Sequence, residues 1–465
     1  MNVPKDAFIP PVFEDVTEAI GNTPLVRLRK MPDPKGARVY AKMEMLNPGG
    51  SVKDRIGASM LNAAEEQGLL RPGGTVVECT SGNTGMGLAL SCAVRGYRLI
   101  CTMPDKMSTE KISLLRAMGA EVIVTPSNVA PDHPESYYSI ARSIAESTDN
   151  CVWTNQYFND ANPRAHYEST GPELWAQTEG KISAFVAGMG TCGTISGTGR
   201  YLKEQNPQIR IIGVDPEGSI LKYWFDTGET GEAQPYKVEG IGEDIVPSVF
   251  YRDAVDEVRS VNDETSFLIT RRLVKEEGIF AGGSCGSAVA IALDVARDMN
   301  PDQSVVVLLP DSGAKYVSKI FNDDWMRENR FLSPTSATAS DVLHRGGKPL
   351  KTLLTVESKA TVREAINLMR QNEVSQLPVM KDGEPVGRVT DSRLMAAVLD
   401  DPSCMDQGLG KLQEPPLLRV EGARRMSEIL ATLSGKDAAV LVEEHGHVAG
   451  IITRYDLIDF VQEGH

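Results

Sequence analysis

The chain lacks any apolar run approaching the roughly 18 residues needed to cross a bilayer. Its start, Met1-Asn2-Val3-Pro4-Lys5-Asp6-Ala7-Phe8, has neither the basic nor the apolar region of an export signal. No membrane association and a cytoplasmic location are expected. Cysteine is scarce and scattered: the seven thiols (Cys79, Cys92, Cys101, Cys151, Cys192, Cys285, Cys404) are odd in number and show no C-x-x-C spacing. That pattern argues against a disulfide framework or a zinc ribbon and for free thiols in a reducing compartment, with no metal site. Positive charge is also short, with 48 Lys and Arg against 63 Asp and Glu, a formal net charge of −15 and a pI near 5.0. Nucleic acids are held by clustered Lys and Arg, so none is expected as a partner. What remains is 465 residues, 41% hydrophobic and 24% charged, the composition of a soluble protein of two or three domains.

From about Val76 onward short apolar runs alternate with helical patterns, each change marked by glycine or proline. The runs at 75–79, 98–102, 121–124, 184–187, 210–214 and 305–309 are continuous rather than alternating, as strands covered on both faces should be. They predict a doubly wound α/β core. Near Phe331 the pattern gives way to the small, polar stretch Ser333-Pro334-Thr335-Ser336-Ala337-Thr338-Ala339-Ser340, which reads as a linker. Beyond it, Pro378-Val379 through Gly387-Arg388-Val389-Thr390 and Leu394 returns about 63 residues later as Leu441-Val442 through Gly450-Ile451-Ile452-Thr453 and Leu457. Two copies of one small unit are implied. The expected boundaries are a core over 1–330, a linker over 331–343, and repeats over 344–400 and 401–465.

Four glycine- and hydroxyl-rich clusters punctuate the core. Ser51-Val52-Lys53-Asp54 has the form of a capping box, followed by Ile56, Met60 and Ala64 at helical spacing, and this puts Lys53 in a first helical turn. There the helix dipole disfavours an ammonium and favours the neutral amine that forms Schiff bases. Taken alone, such a lysine reads as an ordinary surface side chain, since lysines are mostly exposed. Thr80-Ser81-Gly82-Asn83-Thr84-Gly85 lies at a strand-to-helix turn and offers N–H groups, hydroxyls and a carboxamide suited to a small carboxylate, or simply a helix cap. Gly188-Met189-Gly190-Thr191-Cys192-Gly193-Thr194 follows the next strand. Its glycines let amides close on a phosphate, which neutral donors and the helix dipole would hold, because no Lys or Arg comes before Arg200. The same loop satisfies G-x-G-x-x-G, with Asp215 about 20 residues on, so an NAD-dependent oxidoreductase is an open alternative. The last cluster, Gly282-Gly283-Ser284-Cys285-Gly286-Ser287, again opens a helix and by itself is no more than a glycine-rich cap.

Together with Asn22-Thr23-Pro24-Leu25 and Asn47-Pro48-Gly49-Gly50-Ser51-Val52-Lys53-Asp54-Arg55, these clusters over about residues 12 to 325 resemble the tryptophan-synthase-like (fold type II) pyridoxal-phosphate family in order and spacing. The resemblance implies a two-lobed core with pyridoxal 5′-phosphate as cofactor and Lys53 as its Schiff-base lysine and catalytic residue. It further implies that Asn83 meets the pyridoxal 3′-oxygen, that Gly190, Thr191, Cys192, Gly193 and Thr194 hold the phosphate, that Ser284 faces the ring nitrogen and that Tyr157 packs beside the cofactor. Thr80, Ser81, Thr84 and Gln156 match positions that bind the substrate carboxylate. A hydroxyl at the ring nitrogen limits carbanion delocalisation and favours β-elimination over transamination. The implied reaction is β-replacement at serine. Asn155-Gln156-Tyr157 and Glu239-Gly240-Ile241-Gly242 resemble the branch that uses the homocysteine thiol, giving cystathionine and water, while sulfide, with serine or O-acetylserine, is the alternative. Haem-bearing members ligate it through Cys and His in an N-terminal extension; here the first cysteine is Cys79 and the first histidine His133, so no haem is expected. Two departures stand out: Glu243 replaces a common tyrosine, and Cys192 a common glycine.

The repeat pair resembles a tandem CBS-domain (Bateman) module of β-α-β-β-α repeats, whose clefts take adenosine-containing ligands. An aspartate three residues after a Ser or Thr usually grips the ribose. The second repeat has Thr453 and Asp456, whereas the first has Thr390 followed by Arg393, so one cleft for S-adenosylmethionine or an adenine nucleotide is expected, with a purely structural pair as the alternative. A homodimer or homotetramer is the expected assembly.

Overall fold

The computed structural model describes residues 12–462 except 81, 106, 108, 127, 130–132, 333–336, 345–352, 434–438 and 445. The chain divides into two compact units, Met1–Asn322 and Asp323–His465. Among the described residues no helix is long and apolar enough to cross a membrane.

The first unit is built on two sheets. One runs in the order Leu25–Arg27, Arg38–Met43, Ser304–Leu309, Ala184–Gly188, Arg210–Pro216 and Glu257–Val261, parallel except for its first pair. The other, all parallel, runs Glu121–Thr125, Arg98–Pro104, Thr75–Cys79, Cys151–Trp153. All six strands read from apolar runs are present, and their central members are buried along their length, as double coverage by helices requires. Strands at Arg38–Met43, Cys151–Trp153 and Glu257–Val261 carry no such run, because charged or partly exposed side chains interrupt them.

Close helix packing then places the chemistry. Helix Lys53–Glu66 lies against helix Asn83–Arg95 at a pair of glycines. A Cβ on Gly87 would sit 2.4 Å from the carbonyl oxygen of Lys53, and one on Gly57 would sit 2.5 Å from the carbonyl carbon of Gly87. Only hydrogen at these two positions lets the first turns of both helices touch.

In the second unit each repeat is a three-stranded sheet with flanking helices. The strands are Val356–Glu357, Gln376–Lys381 and Glu384–Thr390 in the first, and Leu418–Glu421, Ala439–Glu444 and His447–Thr453 in the second. A register shift falls between Val379 and Met380 and again between Val442 and Glu443, the same place in both copies. The stretch expected as a linker over 331–343 contains helix Ala339–Leu343, opened by a Thr338–Asp341 capping box. Ala337, Ala339 and Val342 are buried with Met426, Ile429, Val440 and Phe460, so the second repeat takes a helix from the chain ahead of the first. Small residues that resemble linker are the ones that fit against a sheet.

Candidate active site

The four longest helices of the first unit, Lys53–Glu66, Asn83–Arg95, Gly193–Gln205 and Gly283–Arg297, start without a side-chain cap, as do the short helices Ala161–Ala165, Gly171–Gln177 and Leu221–Thr227. Elsewhere in the same unit Ser136 and Asn262 cap their helices in the ordinary way. Unsatisfied N–H groups at a helix start are an anion site in waiting.

The expected Ser51–Asp54 capping box does not form. The carboxylate of Asp54 accepts from the N–H of Gly49, and Ser51 pairs as a bridge with Asp311, so Val52 becomes the residue before the helix. Lys53 nevertheless opens the helix as expected. Burial pulls its amine below the ordinary lysine range, against the opposing pull of Asp311, Glu243 and Cys192, while Lys315 adds to the fall. These neighbours come from three separate segments, which the fold therefore gathers at one nitrogen.

Behind the lysine helix lies a buried charge network. Arg55 Nε donates to Glu44 at 2.8 Å and Arg55 Nη1 to Glu173 at 2.7 Å, while Lys42 Nζ donates to Glu173 at 2.6 Å. Thr23 Oγ1 donates to Glu44 at 2.6 Å and Asn47 Nδ2 to Glu44 at 2.8 Å. Two acids and two bases close the charge. Burial alone would raise the Glu173 carboxyl, but hydrogen bonds and charge from Arg55 and Lys42 hold it at about 2. The motifs at Asn22-Thr23 and Asn47 thus tie down the lysine helix.

Asn83 stands at the start of its helix with Nδ2 donating to Asp311 Oδ2 at 2.8 Å and Oδ1 accepting from Lys315 Nζ at 2.7 Å. Tyr316 OH donates to the same Asp311 oxygen at 2.7 Å. Thr80 and Thr84 are both buried; Thr84 Oγ1 donates to Gln156 Oε1 at 2.6 Å, and the hydroxyl of Thr80 accepts from the N–H of Gly82. Ser81 lies outside the described residues. Ser284, 3% exposed, is in the first turn of its helix and 4.0 Å from where Gly240 would carry a Cβ. The phenol of Tyr157 donates to Glu243, whose carboxyl burial pushes up to about 8.

Gly190, Thr191, Cys192, Gly193 and Thr194 form one turn into helix Gly193–Gln205. Cys192 takes φ +64°, a conformation that favours glycine, with its thiol turned to Gly190 O at 3.3 Å. At Gly193 a Cβ would lie 1.9 Å from Asn162 Oδ1. Asn162 Nδ2 donates to Thr191 Oγ1 at 3.0 Å and to Gln156 O at 2.8 Å, so it ties the glycine loop to the Thr84–Gln156 pair. Asp311, Lys315, Asn162 and His166 were not foreseen; Pro310-Asp311-Ser312-Gly313 directly after an apolar strand was the signal available for the first two.

In the second unit Thr453 Oγ1 donates to Asp456 Oδ2 at 2.6 Å, and the N–H of Thr453 donates to the same oxygen at 2.8 Å. The pair caps helix Arg454–Gln462.

An uncapped helix start behind a glycine loop, neutral donors around it, a lysine whose charged form burial disfavours and a hydroxyl rather than a carboxylate at the fourth helix fit pyridoxal phosphate. Residues 16–311 match the family of pyridoxal-phosphate dependent enzymes, and residues 339–400 and 414–463 match the CBS domain. The chain belongs to the pyridoxal-phosphate dependent enzymes and carries a CBS-domain pair. A cystathionine beta-synthase of Dictyostelium discoideum is 38% identical over 97% of this chain and 93% of its own. A cysteine synthase 1 of Neurospora crassa is 44% identical over 69% of this chain and 86% of its own. Among solved structures, an O-acetylserine dependent cystathionine beta-synthase from Helicobacter pylori superposes with a TM-score of 0.61 at 37% identity, over 67% of this chain and 99% of its own. Within the class, the chain is a member of the cystathionine β-synthase family. The dinucleotide reading of the glycine loop gives way accordingly: Asp215 is buried and spends its carboxylate on the N–H of Lys222 at 2.8 Å.

Proposed function

We propose that the chain joins serine to homocysteine, replacing the β-hydroxyl by the thiol and releasing cystathionine and water. The observation that carries the reading is likeness to a cystathionine beta-synthase across 97% of the chain, repeats included, over a site whose lysine amine burial pulls below its ordinary range.

Pyridoxal phosphate, held through Lys53, supplies the electron sink for a bond broken at the substrate Cα. The amine of Lys53 would accept the Cα proton and pass it to the departing hydroxyl, which leaves as water. The start of helix Gly193–Gln205, with Gly190, Thr191, Cys192, Gly193 and Thr194, holds the phosphate by N–H and hydroxyl donors. Thr80, Ser81, Thr84 and Gln156 hold the carboxylate of the amino acid. Asn83, oriented by Asp311 and Lys315, meets the 3′-oxygen. Ser284 meets the ring nitrogen without protonating it, and Tyr157 with Glu243 lines the approach of the thiol.

A competition assay settles the reading: serine, O-acetylserine, homocysteine and sulfide are offered together and the products identified by mass. Cystathionine is the expected main product; cysteine in its place would identify a sulfide-using cysteine synthase. Borohydride trapping followed by peptide mapping should find the pyridoxyl group on Lys53.

For the repeats, S-adenosylmethionine or an adenine nucleotide binds at Thr453 and Asp456, with Asp456 exchanging its cap on Thr453 for a ribose hydroxyl. The ligand should raise the melting temperature, and Asp456→Ala should remove the shift. No shift with any adenosyl compound would leave the repeats as architecture. The working form is a homo-oligomer in the cytoplasm, which sedimentation of the purified chain would test.

A further inference from the structure

Helix Gly193–Gln205 packs tightly on the segment that follows Asn162: a Cβ on Gly197 would fall 2.0 Å from the carbonyl oxygen of Pro163. That contact pins His166, fully buried, beside the first turn of the helix. His166 opens a π-helical turn, His166–Thr170. Its Nδ1 lies 2.9 Å from Thr170 Oγ1 and its Nε2 lies 3.1 Å from Thr194 Oγ1. Both hydroxyls are buried, Thr170 completely and Thr194 to 9% exposure.

We propose that His166 is a positioning residue for the cofactor phosphate, setting the hydroxyl proton of Thr194 to point at the anion. The inference rests on the reading of residues 190–194 as the phosphate cradle. Two neutral arrangements fit the distances. In one, Nε2 accepts the Thr194 proton and turns an oxygen lone pair toward the phosphate, which repels it. In the other, Thr170 donates to Nδ1, Nε2–H donates to Thr194 Oγ1, and the Thr194 proton is left for the phosphate. A bound dianion selects the second. Burial, aided by the charge of Arg55, pushes the His166 imidazole down to about 3, so a doubly protonated ring does not blur the choice. The residue touches neither cofactor nor substrate and acts through Thr194 alone.

The test uses the full chain stripped of cofactor and titrated with pyridoxal phosphate and, separately, with pyridoxal, which has no phosphate. A hydrogen bond to a charged group is worth enough that His166→Leu should weaken pyridoxal phosphate by about tenfold or more. Pyridoxal affinity should hold to within about twofold, a change of less than 0.5 kcal/mol. Equal loss for both ligands, or loss for neither, overturns the proposal. If His166→Leu fails to fold by melting of the stripped chain, His166→Gln and His166→Asn decide. Glutamine can present an N–H where Nε2 stood and asparagine only where Nδ1 stood, so glutamine must retain the phosphate-dependent affinity better; equality or the reverse order overturns the proposal. Thr194→Val separates the two layers. If it leaves pyridoxal phosphate affinity intact, the cradle reading falls; if it weakens the affinity while the histidine variants do not, only the relay falls.

Discussion

Replacing Arg55 with methionine removes the cation that two buried carboxylates share, two residues after the lysine. The guanidinium donates to Glu44 through Nε and Nη2, both at 2.8 Å, and to Glu173 through Nη1 at 2.7 Å and Nη2 at 2.8 Å. The Arg55 side chain is 2% exposed and that of Glu44 0%. Breaking such a pair from one side leaves a charge with no solvent to turn to and costs about 3–5 kcal/mol. A stability of about 5–15 kcal/mol makes this a large share of the total. The pH dependence has a sign that can be worked out. Glu173, held at about 2 against an ordinary 4.5, is a depressed acid, so its contribution is full above about 4.5 and fades as pH falls toward 2. That arm amounts to about 3 kcal/mol at neutral pH. The penalty of Arg55→Met in urea unfolding, followed by tryptophan fluorescence, should therefore be largest at pH 7 and shrink between pH 5 and 3. Adding Glu44→Gln to Arg55→Met should recover more than about 1 kcal/mol, because the stranded acid is then neutral. A penalty below about 1 kcal/mol, or one unchanged from pH 7 to 3, would refute the argument that charge holds the lysine helix in place.

Gly193→Ala forces a methyl to within 1.9 Å of Asn162 Oδ1 and with it shifts the link to Thr191 and Gln156; affinity for pyridoxal phosphate should fall by more than about tenfold in a spectral titration. Glu243→Gln should erase an inflection near pH 8 from the rate profile, since burial raises that carboxyl to about 8. In the cofactor-free chain the same variant should gain on the parent in thermal stability as pH climbs from about 4.5 to 8, the window in which the unfolded acid is ionised and the folded one is not.

The parts of the fold that could be read from residue order are those where one physical cause dominates. Parallel strands covered on both faces must be apolar throughout, so Val305-Val306-Val307-Leu308-Leu309 announces itself, and loops that close on an anion need glycine, so three ligand loops do too. The repeats are legible because Gly387-Arg388-Val389-Thr390 and Leu394 recur as Gly450-Ile451-Ile452-Thr453 and Leu457, and the strand pairing shifts register at the same place in both copies. Strand Arg38–Met43 was not, because Lys42 looks like a solvent residue and is buried by virtue of partners that include Glu173 and Gln177, more than a hundred positions away. For the same reason the pairing of Glu44 with Arg55 gave no local signal: each is an expensive residue to bury whose partner is supplied by the fold. His166 was silent because its role depends on a neighbour 28 positions on.

The places where local rules fail mark the site. Cys192 accepts a backbone conformation suited to glycine, the four longest helices of the unit forgo side-chain caps, and Lys53 is held where its charged form is disfavoured. Each of these costs stability in isolation, and natural sequences keep such violations where something else repays them. A ligand that carries a phosphate for the start of helix Gly193–Gln205 and an aldehyde for the amine of Lys53 answers two of them at once. The cofactor is therefore part of the fold's energetics as well as its chemistry, and its removal should lower the melting temperature of the first unit while leaving that of the repeats unchanged.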